Sequence, residues 1–328
     1  MWVYQRAAQV DDPFVRTAPV WQQRVFGHRD FWLVPLWLRT RRRELSRMDV
    51  LVAHYPNYCA PGYFHPRLVG LSHGVTWDDA PGTWRADKKR RLARQAFARC
   101  ARFVANDTFF LREMGVDAQP GERAFQEIAP RRWFIPNCVD TTVFRPLAPS
   151  DDASRPPVVI VPRNLYRNRG VHLAVEAFGM VLTEFPGWRL HIVGAESHPD
   201  YAREVRALVE SLGLAGAVRF VGSAPWAEMP QAYSEARVCL VPSVCGEGTS
   251  LAALEAMACG VATISTNVAG LCDLPTVRCP PTAAALAETM REVMPSWPPV
   301  ADGQRAQVAS HFTIDLWEAA WARVIEDW

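Results

Sequence analysis

The sequence VCLVPSVCGEGTSLAALEAMACG, residues 238–260, contains in succession the patterns of a buried strand, a short loop and a helix. The apolar run Val238–Val241 has the length of a strand and stops at a proline. Thr249 or Ser250 can cap the helix that follows, and Gly260 is a typical helix stop. Such a unit directs backbone N–H groups and the positive end of a helix dipole to one point, and it therefore predicts an anion site, usually for phosphate.

Two carboxylates flank this predicted anion site. Glu247 lies in the loop, and Glu255 lies about one and a half turns into the helix. Because a lone carboxylate repels a phosphate, the pair indicates a ligand that offers hydroxyl groups as well as phosphates, such as a sugar nucleotide. The spacing of the two glutamates alone also fits an ordinary buried strand–helix unit, and this alternative stays open at this point.

The overall composition is that of a globular protein, and 328 residues are enough for two domains. A net charge of +2 gives no reason to expect a nucleic-acid partner. The eight cysteines form no CxxC pair, and no Cys/His set has zinc-site spacing, so we expect a reducing, cytoplasmic location and no structural metal. The first residues lack the pattern of a signal peptide, and no apolar run approaches the ~20 residues of a membrane span.

Basic and aromatic residues cluster in the first half of the chain. Residues 20–38 mix tryptophan and phenylalanine with arginine, residues 39–43 add further arginines, and residues 85–99 form a basic helix by prediction. Segments of this kind can make peripheral contact with an anionic membrane surface. They can equally be helices that pack on their own domain and turn a basic face to solvent, and composition leaves both interpretations open.

Strand and helix patterns alternate along the chain, which predicts an α/β fold with a parallel, doubly wound sheet. The predicted strands are residues 49–54, 68–72, 103–105, 132–137, 158–161, 189–193, 218–221, 238–241 and 261–265. The predicted helices are residues 85–99, 171–185, 200–212, 227–236, 251–258, 283–294 and 313–328. Residues 146–157, rich in proline, have the composition of a linker.

Several short motifs follow one another in order through the second half of the chain. They are Phe134–Pro146 (FIPNCVDTTVFRP), Arg163 with Arg169 and Gly170, Leu190–Gly194 (LHIVG), Val218–Gly222 (VRFVG), Glu247–Gly260 and Val268–Gly270 (VAG). In this order they closely resemble the nucleotide-sugar domain of retaining GT-B glycosyltransferases of the family 4 type. The first half resembles the same family more loosely, through Leu71–Gly74 (LSHG) and Phe103–Asn106 (FVAN).

The resemblance implies a GT-B fold, in which two Rossmann-like, doubly wound parallel-sheet domains face a cleft. We therefore expect an acceptor-side domain at residues 1–146, a linker at 147–157, a donor domain at 158–310, and a C-terminal helix at 311–328 that crosses back to the first domain. The N-terminal domain looks shortened, because the opening strand and Gly-rich loop of the family are not found. Either the first sheet is trimmed and the acceptor side is rebuilt from residues 1–48, or the beginning of the chain is incomplete.

The resemblance also implies roles for individual residues. Arg163 and Arg169 neutralise the departing diphosphate, in a family that generally uses neither a metal nor a DxD motif. Glu247 holds hydroxyls of the donor sugar, Glu255 holds the ribose diol, and His73 lies across the cleft near the sugar and the attacking acceptor. Further donor contacts are implied for Gly222, Gly246, Gly248, Thr249, Ser250 and Leu251.

The expected reaction moves a sugar from a nucleoside-diphosphate donor, a UDP- or GDP-sugar, to an acceptor hydroxyl with retention and without a cofactor. The acceptor is a sugar, a glycan, a lipid-linked group or a small molecule. Two alternatives stay open, namely a nucleotide-sugar binding protein without transferase activity and a nucleotide-sugar epimerase. The chain departs from the family at Arg169, where lysine is usual, and at Cys138, where glycine is usual.

Overall fold

The computed structural model describes residues 3–5, 15–17, 30–78, 80–121, 124–147 and 155–328. Two large sheets, each covered by helices, account for most of the described chain. Apart from them, two short strands, β1 (Val3–Gln5) and β2 (Val15–Thr17), pair in parallel as a separate two-stranded sheet. Most of the aromatic-basic segment 20–38 precedes Asp30 and therefore lies outside the described residues.

The first large sheet has five strands in the order β3-β4-β5-β7-β6. In chain order the strands are β3 (Leu51–Ala53), β4 (Leu68–Ser72), β5 (Arg102–Ala105), β6 (Gln126–Ala129) and β7 (Arg132–Phe134). The helices of this half are α1 (Asp30–Thr40), α2 (Arg42–Leu45), α3 (Pro56–Cys59), α4 (Trp84–Arg99) and α5 (Thr108–Glu113). All neighbouring strands are parallel except β6 and β7, which pair antiparallel at the edge.

The second large sheet has six strands in the order β10-β9-β8-β11-β12-β13, all of them parallel. In chain order the strands are β8 (Val158–Val161), β9 (Arg189–Val193), β10 (Val218–Gly222), β11 (Val238–Val241), β12 (Ala262–Thr266) and β13 (Val277–Cys279). The helices are α6 (Val171–Val181), α7 (Pro199–Ser211), α8 (Met229–Ser234), α9 (Leu251–Ala258), α10 (Ala283–Val293), α11 (Trp297–His311) and α12 (Ile314–Glu326).

Continuous apolar runs decide where the central strands lie. The side chains of β8 and β11 are buried along their whole length, as expected for the middle of a sheet covered on both faces. Gly170 starts α6 in a left-handed conformation, with φ +66°, and a Cβ there would lie 1.9 Å from the carbonyl oxygen of Pro242. No residue with a side chain can take this position without moving the backbone of the loop after β11.

Several predicted elements differ from the structure. The strand predicted at residues 49–54 is shorter and lies at the sheet edge, where Val52 is 36% exposed. The helix predicted to reach residue 185 ends at Val181, because Pro186 prevents the segment before it from continuing as a helix. Helix α11 was not predicted, and its two prolines lie in its first turn, where proline is tolerated.

The last helix packs on the first sheet. Ala320 and Val324 of α12 are fully buried against side chains of β4 and β5, such as Val69 and Val104. Burial of a valine side chain stabilises a fold by about 1.5–3 kcal/mol. Arg102 also donates hydrogen bonds to the carbonyl groups at the end of α12. The two halves are therefore joined at both the linker and the chain end, while the domain boundaries given above stay predictions.

None of the helices in the described part of the chain has the length and hydrophobicity that crossing a membrane requires. All eight cysteines lie in this part as free thiols. Several of them, including Cys239 and Cys259, are fully buried among apolar side chains and act as small core residues.

Candidate active site

The second sheet reverses its strand order between β8 and β11, and open α/β sheets bind their ligands at such a switch point. β8 ends at Val161 and β11 ends at Val241, and the two strands pair in parallel. The loop after β8 contains Arg163 and Arg169, and the loop after β11 contains Glu247. Residues from distant parts of the chain are thus brought to one edge of the sheet by its topology.

Glu247 is held by two arginines. Its Oε2 atom accepts a hydrogen bond from Nη1 of Arg169, lies 3.4 Å from Nη2 of Arg163, and accepts one of 2.7 Å from the Ser243 hydroxyl. Arg163 is 8% exposed and also donates to Oγ of Ser250 at 3.1 Å. Ser250 is the N-cap residue of α9. The guanidinium groups are therefore fixed beside a helix N-terminus, where charge and helix dipole act on the same anion.

A cavity of about 270 Å³ opens at this switch point. Arg163, Arg169 and Glu255 line it, together with residues of the loops after β9 and β10 and of α8. The hydroxyl of Tyr233 donates to Oε2 of Glu255 at 3.0 Å. Burial raises the pKa of Glu255, and hydrogen bonds from Tyr233 and Trp226 act in the opposite direction. A carboxylate in this position can accept hydrogen bonds from the two hydroxyls of a ribose.

The loop between β11 and α9 touches the first half of the molecule through its glycines. A Cβ at Gly248 would lie 2.7 Å from the carbonyl oxygen of His73 and 2.9 Å from Oδ1 of Asn106. The N–H of Gly246 donates to Oδ2 of Asp78 at 2.8 Å. Both glycines therefore face the other half of the molecule, and at Gly248 the absence of a side chain permits this close approach.

Polar side chains extend the same contact. Thr249 donates to the carbonyl oxygen of Asn106 at 3.0 Å and accepts from the N–H of Asn137 at 2.8 Å. Next to it, Asp273 accepts hydrogen bonds from the N–H (2.8 Å) and the hydroxyl (2.6 Å) of Thr108, at the start of α5. The pKa of Asp273 is raised to about 6, mainly because its carboxyl group is buried. The two halves thus meet through specific, buried hydrogen bonds.

His73 follows β4 and faces this contact from the first half. Its Nε2 atom lies 3.3 Å from Nδ1 of His54, and the two rings stack with centroids 5.5 Å apart. Desolvation by the surrounding protein, followed by the charge on His54, lowers the pKa of His73 to about 4. Desolvation lowers the pKa of His54 as well. Both imidazoles are therefore neutral near pH 7 and can offer one donor and one acceptor each.

The structure places the predicted site residues in three groups. Arg163, Arg169 and Glu255 line the cavity at the switch point, with Glu247 and Ser250 bonded directly to the arginines. Facing the first half of the molecule are Gly246, Gly248, Thr249 and, from the other side, His73. Within the described residues, Gly222 at the end of β10 and Leu251, which is 50% exposed, do not line this cavity.

Sequence reasoning missed two aromatic residues of the site. Tyr233 is fully buried with its hydroxyl on Glu255, and Trp226 is 57% exposed, with its ring 5.3 Å from that of Phe144. The position of Trp226, shortly after the VRFVG motif at a strand end, was the available signal. The contact of Tyr233 with Glu255 depends on the packing of α8 against α9, which the sequence does not state.

The sequence profile of the family Glycosyl transferases group 1 matches residues 156–295. These residues include β8 to β13 and every residue that lines the cavity at the switch point. Over this region the chain is similar to the group 1 glycosyltransferases, and the resemblance drawn from the motifs is confirmed at this level.

Curated relatives each match less than half of the chain. The exopolysaccharide phosphotransferase SCO2592 of Streptomyces coelicolor is 33% identical over 147 residues, which are 45% of this chain and 14% of that protein. The putative colanic acid biosynthesis glycosyltransferase WcaL of Escherichia coli is 32% identical over 141 residues, 42% of this chain and 34% of that protein. The matched region thus spans about a third or less of these relatives.

Solved structures match nearly the whole chain. The sucrose-phosphate synthase of Thermosynechococcus elongatus aligns over 96% of this chain and 81% of its own, with a TM-score of 0.75 and 19% identity. Anabaena Alr3699/HepE in complex with UDP and glucose aligns over 89% of this chain and 81% of its own, with a TM-score of 0.72 and 17% identity. At such identities the likeness establishes the fold, and the predicted GT-B architecture of two Rossmann-like domains is confirmed.

Proposed function

We propose that the chain is a retaining glycosyltransferase, which moves a sugar from a nucleoside-diphosphate sugar to an acceptor hydroxyl and needs no metal ion or cofactor. The observation that carries the proposal is the convergence of Arg163, Arg169 and Glu255 on one cavity at the switch point of the second sheet. UDP is the diphosphate we favour, since a protein of the same fold has been solved with UDP and glucose.

In the proposed complex each wall of the cavity meets one part of the donor. Arg163 and Arg169 bind the diphosphate together with the N-terminus of α9 and stabilise the charge that grows as the sugar leaves. Glu255 accepts hydrogen bonds from the ribose hydroxyls. Glu247, now bonded to both arginines, turns one oxygen to a hydroxyl of the donor sugar. The positive charge of the two guanidinium groups takes the place that a metal ion has in other transferases.

The acceptor side of the reaction lies across the contact between the two halves. His73 is neutral near pH 7, so it serves as a hydrogen-bonding group for the sugar or acceptor and adds no charge. The acceptor hydroxyl attacks the sugar on the face that the diphosphate leaves, and the diphosphate oxygen takes its proton. The close contact of Gly248 with the His73 carbonyl oxygen then keeps water out of the reacting region.

A peripheral membrane contact and a cytoplasmic location are further parts of the proposal. Trp37 is only 4% exposed and packs in the first half of the molecule, so it does not take part in such a contact. The basic helix α4 is the better candidate, because Trp84 at its start is 65% exposed and Arg91 and Arg94 are exposed as well. An anionic lipid surface is attracted by such a helix face.

A thermal-shift screen tests the donor site. Wild-type protein is melted with UDP, GDP, ADP and TDP and with their glucose conjugates, and a ligand that binds only the folded state raises the melting temperature. We expect one base to give a clear shift, which Glu255→Ala abolishes. Glu210→Ala, an exposed glutamate on α7, serves as the matched control and keeps the shift.

Turnover separates the transferase from the two alternatives. A transferase releases nucleoside diphosphate from the sugar donor faster when a suitable acceptor is added, with the α-linkage of the donor retained in the product. A binding protein gives the thermal shift and no release, and an epimerase acts on the donor without any acceptor. The absence of a shift with every nucleotide, in a folded sample, contradicts the donor site itself.

A further inference from the structure

A second cavity, of about 210 Å³, lies in the first half of the molecule beside His73. This volume is several times the ~30 Å³ that one water molecule takes up in the liquid, so it has room for a substrate group. Much of its wall is apolar and aromatic, from Tyr55, Trp77 and Phe110. Flat apolar walls of this type suit the carbon face of a ring.

The cavity lies next to the donor loop. His73 and Gly74 form part of its wall, and a Cβ at Gly74 would lie 3.0 Å from the backbone nitrogen of Gly248. A group bound in the cavity is therefore separated from the loop between β11 and α9 by one backbone thickness. This is the position from which a hydroxyl can reach a sugar held on the donor side.

Among the described residues that line this cavity, Lys89 is the one with a positive charge. Lys89 lines it from α4, and its Nζ atom donates to the carbonyl oxygen of Thr76 at 2.5 Å. In the part of the chain that the structure describes, no aspartate or glutamate lines the cavity, and none forms an ion pair with Lys89. The neighbouring Arg90 is different, since its guanidinium group lies 3.4 Å from Glu113. The ammonium group of Lys89 is thus available to an anion that enters the cavity.

The other polar groups in the wall of this cavity carry no negative charge that would neutralise the ammonium group of Lys89. Asn57 and the backbone of Thr76 are neutral, and His73 is neutral near pH 7. The exposed arginines of α4, such as Arg91 and Arg94, lie outside the wall and add only a long-range positive field.

We propose that this cavity binds the acceptor, and that the acceptor is a ring-sized molecule with an anionic group, a phosphate monoester or a carboxylate, held by Lys89. The inference rests on the proposed function, because it gives the substrate class for the acceptor side of that reaction. The ring packs on Trp77 and Tyr55, and the anion fixes which hydroxyl of the ring points to the donor.

Matched neutral and anionic probes test the proposal. Glucose, glucose 6-phosphate and glucuronate are titrated calorimetrically into wild type, Lys89→Gln and Arg91→Gln, with UDP present so that the arginines of the donor cavity are occupied. We expect at least one anionic probe to bind wild type about tenfold or more tightly than glucose. Tighter binding of glucose 6-phosphate than of glucuronate indicates a phosphate monoester as the anionic group, and the opposite order indicates a carboxylate. Lys89→Gln removes the preference, and Arg91→Gln keeps it.

Equal affinities of wild type for the three probes overturn the proposal, as does a preference that survives in Lys89→Gln. If Lys89→Gln melts early, a salt titration of wild type replaces it, and the preference must weaken as ionic strength rises. UDP binding is measured on the same samples. If the protein prefers the anionic probes but does not bind UDP, only the proposed donor site is contradicted. If the protein binds UDP but does not prefer the anionic probes, only the proposed acceptor class is contradicted.

Discussion

The second sheet reverses its strand order between β8 and β11, whereas the first sheet has no comparable reversal among its described strands. The reversal creates a crevice that is lined by Arg163, Arg169 and Glu255 of the second half. The first half contributes both backbone groups, such as the carbonyl oxygen of His73, and side chains, such as that of Asp78, to the contact with the loop between β11 and α9. Its own cavity lies behind this contact, under α4.

This difference separates two kinds of recognition. In the proposed reaction, donor recognition is contained in one half and depends on charges that the sheet topology brings together. The proposed acceptor recognition depends on a cavity of the other half and on how closely the two halves meet. A change in the second half is therefore expected to act on nucleotide affinity, and a change at the contact is expected to act on turnover.

The largest effect on nucleotide affinity is expected from Arg163→Ala. Arg163 is buried and bonded to both Glu247 and Ser250, so its loss removes a fixed charge from the diphosphate site. Hydrogen bonds to charged groups contribute about 1.5–3 kcal/mol, which corresponds to UDP binding weakened by roughly 10- to 100-fold. Isothermal titration with UDP measures the change.

The control for this prediction lies in the same loop. Arg167 is exposed and pairs with the exposed Glu204, away from the cavity. Arg167→Ala should leave UDP affinity within about twofold, because surface ion pairs contribute little. Equal losses in both variants would mean that the loop binds the diphosphate only through its general positive charge.

A smaller and more selective effect is expected from Gly248→Ala. The new methyl group would meet the His73 carbonyl oxygen at 2.7 Å, so the two halves must move apart. Its clashes are with the first half, and the walls of the donor cavity keep their positions. We expect UDP affinity to change by less than about threefold and release of UDP from the donor sugar to slow by about tenfold or more, since small displacements of reacting groups have large effects on rate.

The expected separation of nucleotide affinity from turnover is contradicted if UDP affinity and the rate of UDP release fall together in Gly248→Ala. Such a result would show that the loop conformation itself, and not the contact between the halves, was lost. The melting temperature of the variant, measured with and without UDP, separates this case from general unfolding.

The central elements of the second half could be predicted from sequence because each has one strong local signal. The apolar runs of β8 and β11 and the helix after Ser250 have the predicted bounds. Short elements at the sheet edges lack such a signal. β6 and β13 are three or four residues long and contain charged or polar residues, and they form because a neighbouring strand pairs with them.

The site residues also divide into those with a local sequence signal and those that only the packing brings together. Arg163 and Glu255 stand in motifs that can be read along the chain. The contacts of Tyr233 with Glu255 and of Asp78 with Gly246 join residues 22 and 168 positions apart, and packing alone brings them together. Lys89 could be seen only as one cation of a basic helix, because which side of α4 faces the cavity depends on how the helix packs. Functional contacts of this kind cannot be predicted from local sequence patterns.

The smallest effect expected is a dependence of stability on pH at the contact between the halves. Asp107 is fully buried, accepts from the N–H of Phe110 at 2.6 Å, and lies beside Asp273 of the other half. Burial is the main cause that raises the pKa of Asp107 to about 7. The folded chain therefore binds this proton more tightly than the unfolded chain, and stability falls as the pH rises from about 4 to about 7.

Asp107→Asn tests this sign, because asparagine resembles the protonated carboxyl at every pH. The variant should melt above wild type by a margin that grows with pH, by a few °C in order of magnitude between pH 5 and pH 8. His54 and His73 have lowered pKa values and give the opposite slope below about pH 6.5, but they are present in both proteins and cancel in the difference. Asp315→Asn, at an exposed position in α12, should give the same difference from wild type at both pH values. If the gap between Asp107→Asn and wild type also stays constant from pH 5 to pH 8, the carboxyl of Asp107 is already ionised in the folded protein, and Asp107 adds no pH dependence to the contact between the halves.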